Sequence, residues 1–165
     1  MNMHISGSAK DNKYNQIVDL MYKGLANDAL DECRQLLAAN PEDSHLLYLT
    51  GAVYFTVKRY PDALEWLTKA VELKPENKEY LFLYGDTLRL CGFYDKSEKV
   101  LLQMLNENPD HDRVLISLGL IYDGFRQWHQ AAEYFERAVA LKPSNSVAHQ
   151  KLAEMLLHTG NTQAA

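Results

Sequence analysis

Two cysteines in 165 residues, Cys33 and Cys91, form no C-x-x-C pair and lie far apart, so neither a disulfide framework nor a zinc site is indicated. No stretch approaches the roughly 18 consecutive apolar residues of a membrane-spanning helix. Cationic runs are also missing. No Lys/Arg run exceeds two residues, and 17 Lys and Arg face 22 Asp and Glu for a net charge of −5. A nucleic-acid binder needs a cationic stripe to neutralise phosphates, so nucleic acid is not an expected partner. The opening segment, MNMHISGSAKDNKYN, has neither the charged start nor the apolar core of a secretion signal, and the expected location is cytoplasmic.

Chemical motifs are equally scarce. The six histidines form no H-x-x-x-H or H-E-x-x-H pair, and no G-x-S-x-G, P-loop or G-x-G-x-x-G occurs. No enzyme, no cofactor and no metal are expected. The 47% hydrophobic and 24% charged composition is that of a folded chain able to bury a core without staples.

What is present is a period. Four of the five prolines, Pro41, Pro75, Pro109 and Pro143, are spaced by 34 residues, each preceded by Asn or Lys. Proline lacks an N–H and restricts the residue before it, so each one closes a helix. The segments NPEDS, KPENK, NPDHD and KPSNS then offer Asp, Asn or Ser to cap the next helix. Midway through each period a second break appears: KGLAND, KRYPD, CGFYD, RQWHQ and TGNTQ. The unit is therefore helix, short turn, helix, turn, and turns this short force antiparallel packing.

Aligned on the prolines, the first helices carry Gly51, Gly85, Gly119 and Ala153 at one phase, with Tyr54, Leu88, Tyr122 and Leu156 three residues later. The second helices carry Ala29, Ala63, Ser97, Ala131 and Ala165, then Cys33, Leu67, Leu101 and Phe135, then Leu36, Ala70, Met104 and Ala138. Glycine inside a helix is disfavoured by about 1 kcal/mol against alanine, so three at one phase imply close helix packing, small beside large. Cys33 reads as a small buried hydrophobe at a core position.

This pattern resembles the tetratricopeptide repeat (TPR) family. Its 34-residue signature is matched by Gly51-Tyr54 and Gly119-Tyr122, by Ala63-Ala70-Pro75 and by Ala131-Phe135-Ala138-Pro143. Departures are Ile17 where the first unit should be small, and Ser97 in the third. The resemblance implies an all-α fold, a right-handed superhelix of four helix-turn-helix repeats at about 10–43, 44–77, 78–111 and 112–145, with a partial fifth at 146–165. Residues 1–12 are expected as a flexible arm ahead of an array spanning 13–165. The fifth unit breaks off at Ala165, on the signature alanine of a second helix, which suggests a piece of a longer protein and self-association through that end.

In repeats of this family the second, fifth, ninth and twelfth places of each first helix face the concave side. Those places here include Tyr14, Met21, Tyr48, Phe55 and Phe82, an aromatic and thioether strip, followed by Asp86, Arg89, Arg113 and Asp123. His45 and Glu79 fall on the same face. The polar four are placed to hydrogen-bond a ligand backbone or to pair with one another. The carboxylate clamp of the family's chaperone-tail binders is missing, since only Asn15 suits it. The asparagine ladder of its glycosyltransferase superhelix is missing too, the sixth places reading Asn15, Leu49, Leu83, Ser117 and Lys151. The implied function is a non-catalytic module that holds a peptide or helix of a protein partner in a groove. Two alternatives stand beside it: the docking domain of a larger sulfotransferase or glycosyltransferase, and a secretion chaperone.

Overall fold

The computed structural model describes residues 9–163. Among them are nine helices and no strand: α1 Ala9–Tyr22, α2 Ala26–Ala39, α3 Ser44–Thr56, α4 Tyr60–Leu73, α5 Lys78–Leu90, α6 Tyr94–Glu107, α7 Asp112–Gly124, α8 Trp128–Leu141 and α9 Ser146–Gln163. The all-α tandem hairpin architecture is the one expected. Residues 9–12, placed with the N-terminal arm on sequence, form the first turn of α1, while the rest of that arm and Ala165 lie outside the described residues.

Both kinds of turn repeat in atomic detail. At the four hairpin bends, Gly24, Lys58, Gly92 and Arg126 adopt φ of 74°, 60°, 82° and 58°. The next amide then reaches back over the turn: Leu25 to the Leu20 carbonyl, Arg59 to Tyr54 and Phe93 to Leu88 at 2.9 Å, and Gln127 to Tyr122 at 2.8 Å. This left-handed ending with a six-residue hydrogen bond satisfies carbonyls that the helix leaves orphaned. At the other bends the helix starts are capped in phase. Asp43 accepts from the His45 and Leu46 amides, Asn77 from Glu79 and Tyr80, and Asn145 from Val147 and Ala148. The third cap corrects the sequence expectation. It is His111, whose Nδ1 accepts from the Val114 amide at 3.4 Å, and not one of the flanking aspartates. The repeat phase decides which residue stands at the cap, and here that residue is histidine.

The chain divides into two compact units, up to Thr87 and from Leu88 onward. In the first, α1, α2 and α3 bury Ile17, Ala29, Cys33, Leu46, Leu49 and Val53, and a neighbouring cluster joins Leu47, Ala70 and Tyr80. In the second, Ala131, Ala132, Phe135 and Met155 form the centre, with Ile116, Leu120, Tyr122 and Trp128 packed around them. The small positions Ala29, Ala63, Ser97 and Ala131 are all fully buried, and Gly51 and Gly119 lie hard against Leu67 and Phe135. The large-against-small pairing is thus realised within both units.

One break is absent. The sequence places a bend at Thr159-Gly160, but α9 continues through it to Gln163. Ala153, Leu156 and Leu157 of α9 are exposed.

Candidate functional site

In the first unit, the first-helix face gathers a row of rings from α1, α3 and α5. Tyr14 meets His45 edge-on with centroids 4.7 Å apart, His45 lies over Tyr48 at 6.0 Å, and Tyr48 stacks on Tyr80 at 4.7 Å with planes only 16° apart. The helices repeat in register, so Tyr14 and Tyr48 hold the same place one 34-residue step apart, while His45 of α3 and Tyr80 of α5 join the row from other places of the repeat. Hydroxyl partners fix the row. Tyr14 donates to Oδ2 of Asp43 at 2.7 Å, Tyr48 donates to Oε1 of Glu79 at 2.9 Å, and the Tyr80 hydroxyl lies 3.2 Å from Nδ1 of His45.

Asp43 is the electrostatic anchor. It caps α3, accepts from Tyr14 and pairs with Nζ of Lys10 at 2.7 Å. Burial pushes its carboxyl up, but the hydrogen bonds from Lys10, Tyr14 and the Leu46 amide outweigh that and hold it below its ordinary value. The same contact raises the Lys10 ammonium above its usual value. Burial first, and then its bond to Asp43, raises the Tyr14 phenol. Beside this group opens a hollow of about 290 Å³ lined by Lys10, Lys13, Tyr14, Leu36, Asn40, Asp43 and Leu46.

The other sequence-selected positions of this unit are placed differently. Met21 is half-buried and packs onto the α1–α2–α3 core. Phe55 is half-buried and meets Tyr60 of α4 edge-on at 5.6 Å. Phe82 is buried, with 8% of its surface exposed, so it does not belong to an exposed strip. A large apolar ring withdrawn from water is the ordinary outcome for phenylalanine. Asp86 is half-buried. Tyr80, which sequence reasoning missed, carries the ring that completes the row. Its phase is held elsewhere by Leu46 and Val114, both plain core residues, so only its hydroxyl hinted at a second role.

In the second unit, Arg113 is exposed and Arg89 half-buried. Asp123 is engaged by α9, with Nζ of Lys151 at 3.7 Å from its carboxylate and 2.6 Å from that of Glu154. The sequence left open whether these charges meet a ligand or each other, and for Asp123 an intramolecular pair is formed. Among the described residues no group of His, Cys, Asp and Glu is arranged to hold a metal ion, and no helix is long and apolar enough to cross a membrane.

Phased hairpins with a small-against-large interior and a ring-lined first-helix face define a helical-repeat protein. The tetratricopeptide repeat profile matches residues 14–78 and 116–165, and the chain belongs to that family. Cell division cycle protein 27 homolog A of Arabidopsis thaliana is 32% identical over 109 residues, 66% of this chain and 15% of the relative. Human protein O-mannosyl-transferase TMTC1 is 28% identical over 111 residues, 65% of this chain and 13% of its own length. The chain thus spans well under a third of either relative. Among solved structures, MamA from Desulfovibrio magneticus RS-1 superposes with a TM-score of 0.82 at 23% identity, covering 96% of this chain and 89% of its own. That likeness establishes the fold.

Proposed function

We propose that this chain is a non-catalytic interaction module that holds an extended or helical segment of a protein partner against its first helices. The observation that carries this reading is the half-buried ring row of the first unit, Tyr14, His45 and Tyr48, set over buried Tyr80. Tyrosine offers a large, stiff contact area with a polar tip, the composition that dominates binding energy in protein interfaces. These rings are already oriented by Asp43 and Glu79, which limits the ordering that binding would require. Cross-linking of the chain to its partner, followed by mass spectrometry, tests the reading. Cross-links concentrated on α1, α3 and α5 support it, and a footprint confined to the second helices α2, α4, α6 and α8 overturns it.

A second reading is favoured by one comparison. A relative whose name assigns a transferase activity, TMTC1, contains a matching stretch amounting to 13% of its length. The chain would then be the docking part of a larger enzyme, with the same groove serving to place a substrate protein. A reading frame that continues from Ala165 into a catalytic domain would favour this second reading.

A further inference from the structure

We infer that the hollow beside Tyr14 is a subsite for an aromatic side chain of the bound segment, phenylalanine or tyrosine, carried next to an acidic residue. The inference rests on the groove reading above and adds the chemistry of its occupant.

The next repeat shows what belongs in this place. Among the residues that line the hollow are Lys13, Tyr14, Leu36 and Leu46. One 34-residue step later, Tyr14 recurs as Tyr48, Leu36 as Ala70, Leu46 as Tyr80 and Lys13 as Leu47. There the interior is closed. Leu47, Ala70 and Tyr80 form a buried cluster with Tyr48 packed against it, and the Tyr80 ring stacks on Tyr48 at 4.7 Å. In the first repeat Leu46 brings no ring and Lys13 is exposed, and the larger Leu36 still leaves about 290 Å³ open. What the first repeat lacks is an aromatic ring. Size agrees, because a cavity of about 150 Å³ lined by apolar side chains already admits benzene. Tyr14, Leu36 and Leu46 all belong to the α1–α2–α3 core or its margin, and the bond to Asp43 holds Tyr14 in place. A ring entering between them gains apolar burial and contact with the Tyr14 ring.

Charge selects the neighbour of that ring. The hollow is lined by two ammoniums, Lys10 and Lys13, and by one carboxylate, Asp43. Asp43 is turned inward, its side chain 6% exposed, and is spent on Lys10, Tyr14 and the cap of α3. Glu42 borders the adjoining hollow on the Lys10 side. Lys13 is therefore the cation that a bound segment meets at the mouth. A carboxylate one residue from the ring pairs with it, whereas a basic neighbour would face two ammoniums.

The test uses three blocked peptides: repeats of Glu-Phe-Ser-Gly, the same with leucine for phenylalanine, and the same with lysine for glutamate. Each is titrated into the full chain labelled with nitrogen-15. The first should shift the backbone amides of Tyr14, Leu36 and Leu46 and bind about fivefold tighter than the leucine peptide, the range of an aromatic pair. The lysine peptide should bind less tightly than the first, and Lys13→Glu, at an exposed position, should reverse that order. Leu46→Tyr, which copies the next repeat, should close the hollow and abolish the shifts at Tyr14 and Leu36. Leu46 is buried, so Leu36→Trp, at a half-buried position, closes the hollow from another wall should that variant unfold.

Shifts confined to Tyr48 and Tyr80 would leave the groove in place and overturn the subsite. Equal affinity of the phenylalanine and leucine peptides, shifts at Tyr14 and Leu36 that survive a folded filling variant, or no shifts at all would overturn it as well. An order of glutamate and lysine peptides that ignores Lys13→Glu would overturn the acidic neighbour. Shifts in the hollow together with partner cross-links confined to the second helices would keep the subsite and overturn the groove reading instead.

Discussion

A β-carbon added to Gly51 would lie 2.7 Å from Cγ of Leu67, inside the distance at which two carbon atoms can rest. The carbonyl oxygen of Ala63 stands 3.2 Å away on the same side, and Leu67 is fully buried, so neither neighbour can step aside cheaply. Gly51→Ala should therefore destabilise the fold by about 1–3 kcal/mol, the overpacking penalty exceeding the gain in helix propensity. Leu67→Ala opens a cavity at the same place. The double variant should be no less stable than Leu67→Ala alone, a coupling visible in urea midpoints. Simple additivity of the two changes would show that the close approach is not what holds glycine there.

The hairpin bends give a second prediction, opposite in sign. Lys58 and Arg126 occupy the left-handed region that Gly24 and Gly92 occupy in the alternate bends. A side chain with a β-carbon is disfavoured there by about 1–2 kcal/mol. Lys58→Gly and Arg126→Gly should each raise the stability by up to about 1 kcal/mol, a shift of a few degrees in Tm. Gly24→Ala and Gly92→Ala should lower it by a similar amount. Nothing lies within 4 Å of a β-carbon at either glycine, so the effect would be purely one of backbone conformation.

How far these features could be read from the residues alone follows from what each depends on. The prolines, the phased Gly51 and Gly119 and the small second-helix column are dictated by neighbours at a fixed sequence offset, so the period reveals them. The cap at His111 escaped because histidine is a rare cap, and the aspartates on either side of it offered more familiar candidates. Phe82 escaped for another reason. Its place in α5 matches that of Tyr48 in α3, but whether a ring there is open or covered depends on how closely the adjoining helices approach. Tyr14 lies on α1, and its bond to Asp43 joins residues 29 apart, which no local pattern encodes.

Acid should reveal that bond. The folded carboxyl of Asp43 is held below its ordinary value, which lies near 3.9 in an unfolded chain. A group depressed by folding contributes stability that is complete above the unfolded value and fades as pH falls through the folded one. Asp43→Asn keeps an oxygen for the helix cap but cannot accept from both Tyr14 and Lys10. Its deficit relative to the parent chain should be about 1 kcal/mol and flat from neutral pH down to about pH 5. Below about pH 4 the two unfolding midpoints should converge. A deficit that stays constant to pH 3 would show that the charge of Asp43 has no part in it.

Tyr48 and Phe82 share the same place in successive repeats, and their different burial separates binding from folding. Tyr48 is half-buried with its hydroxyl on Glu79, whereas Phe82 is 8% exposed. Tyr48→Ala should leave the helical circular dichroism intact and remove the cross-links of the partner to α3, because it deletes the ring at the centre of the row. Phe82→Ala should instead lower the stability by about 3–5 kcal/mol, as large-to-small changes in a core do, before any effect on binding can be read. The conservative Phe82→Leu, which retains most of the volume, should restore the midpoint to within about 1.5 kcal/mol and cross-link to the partner like the parent chain. If Phe82→Leu folded normally but lost the partner, the ring would be part of the binding surface despite its burial.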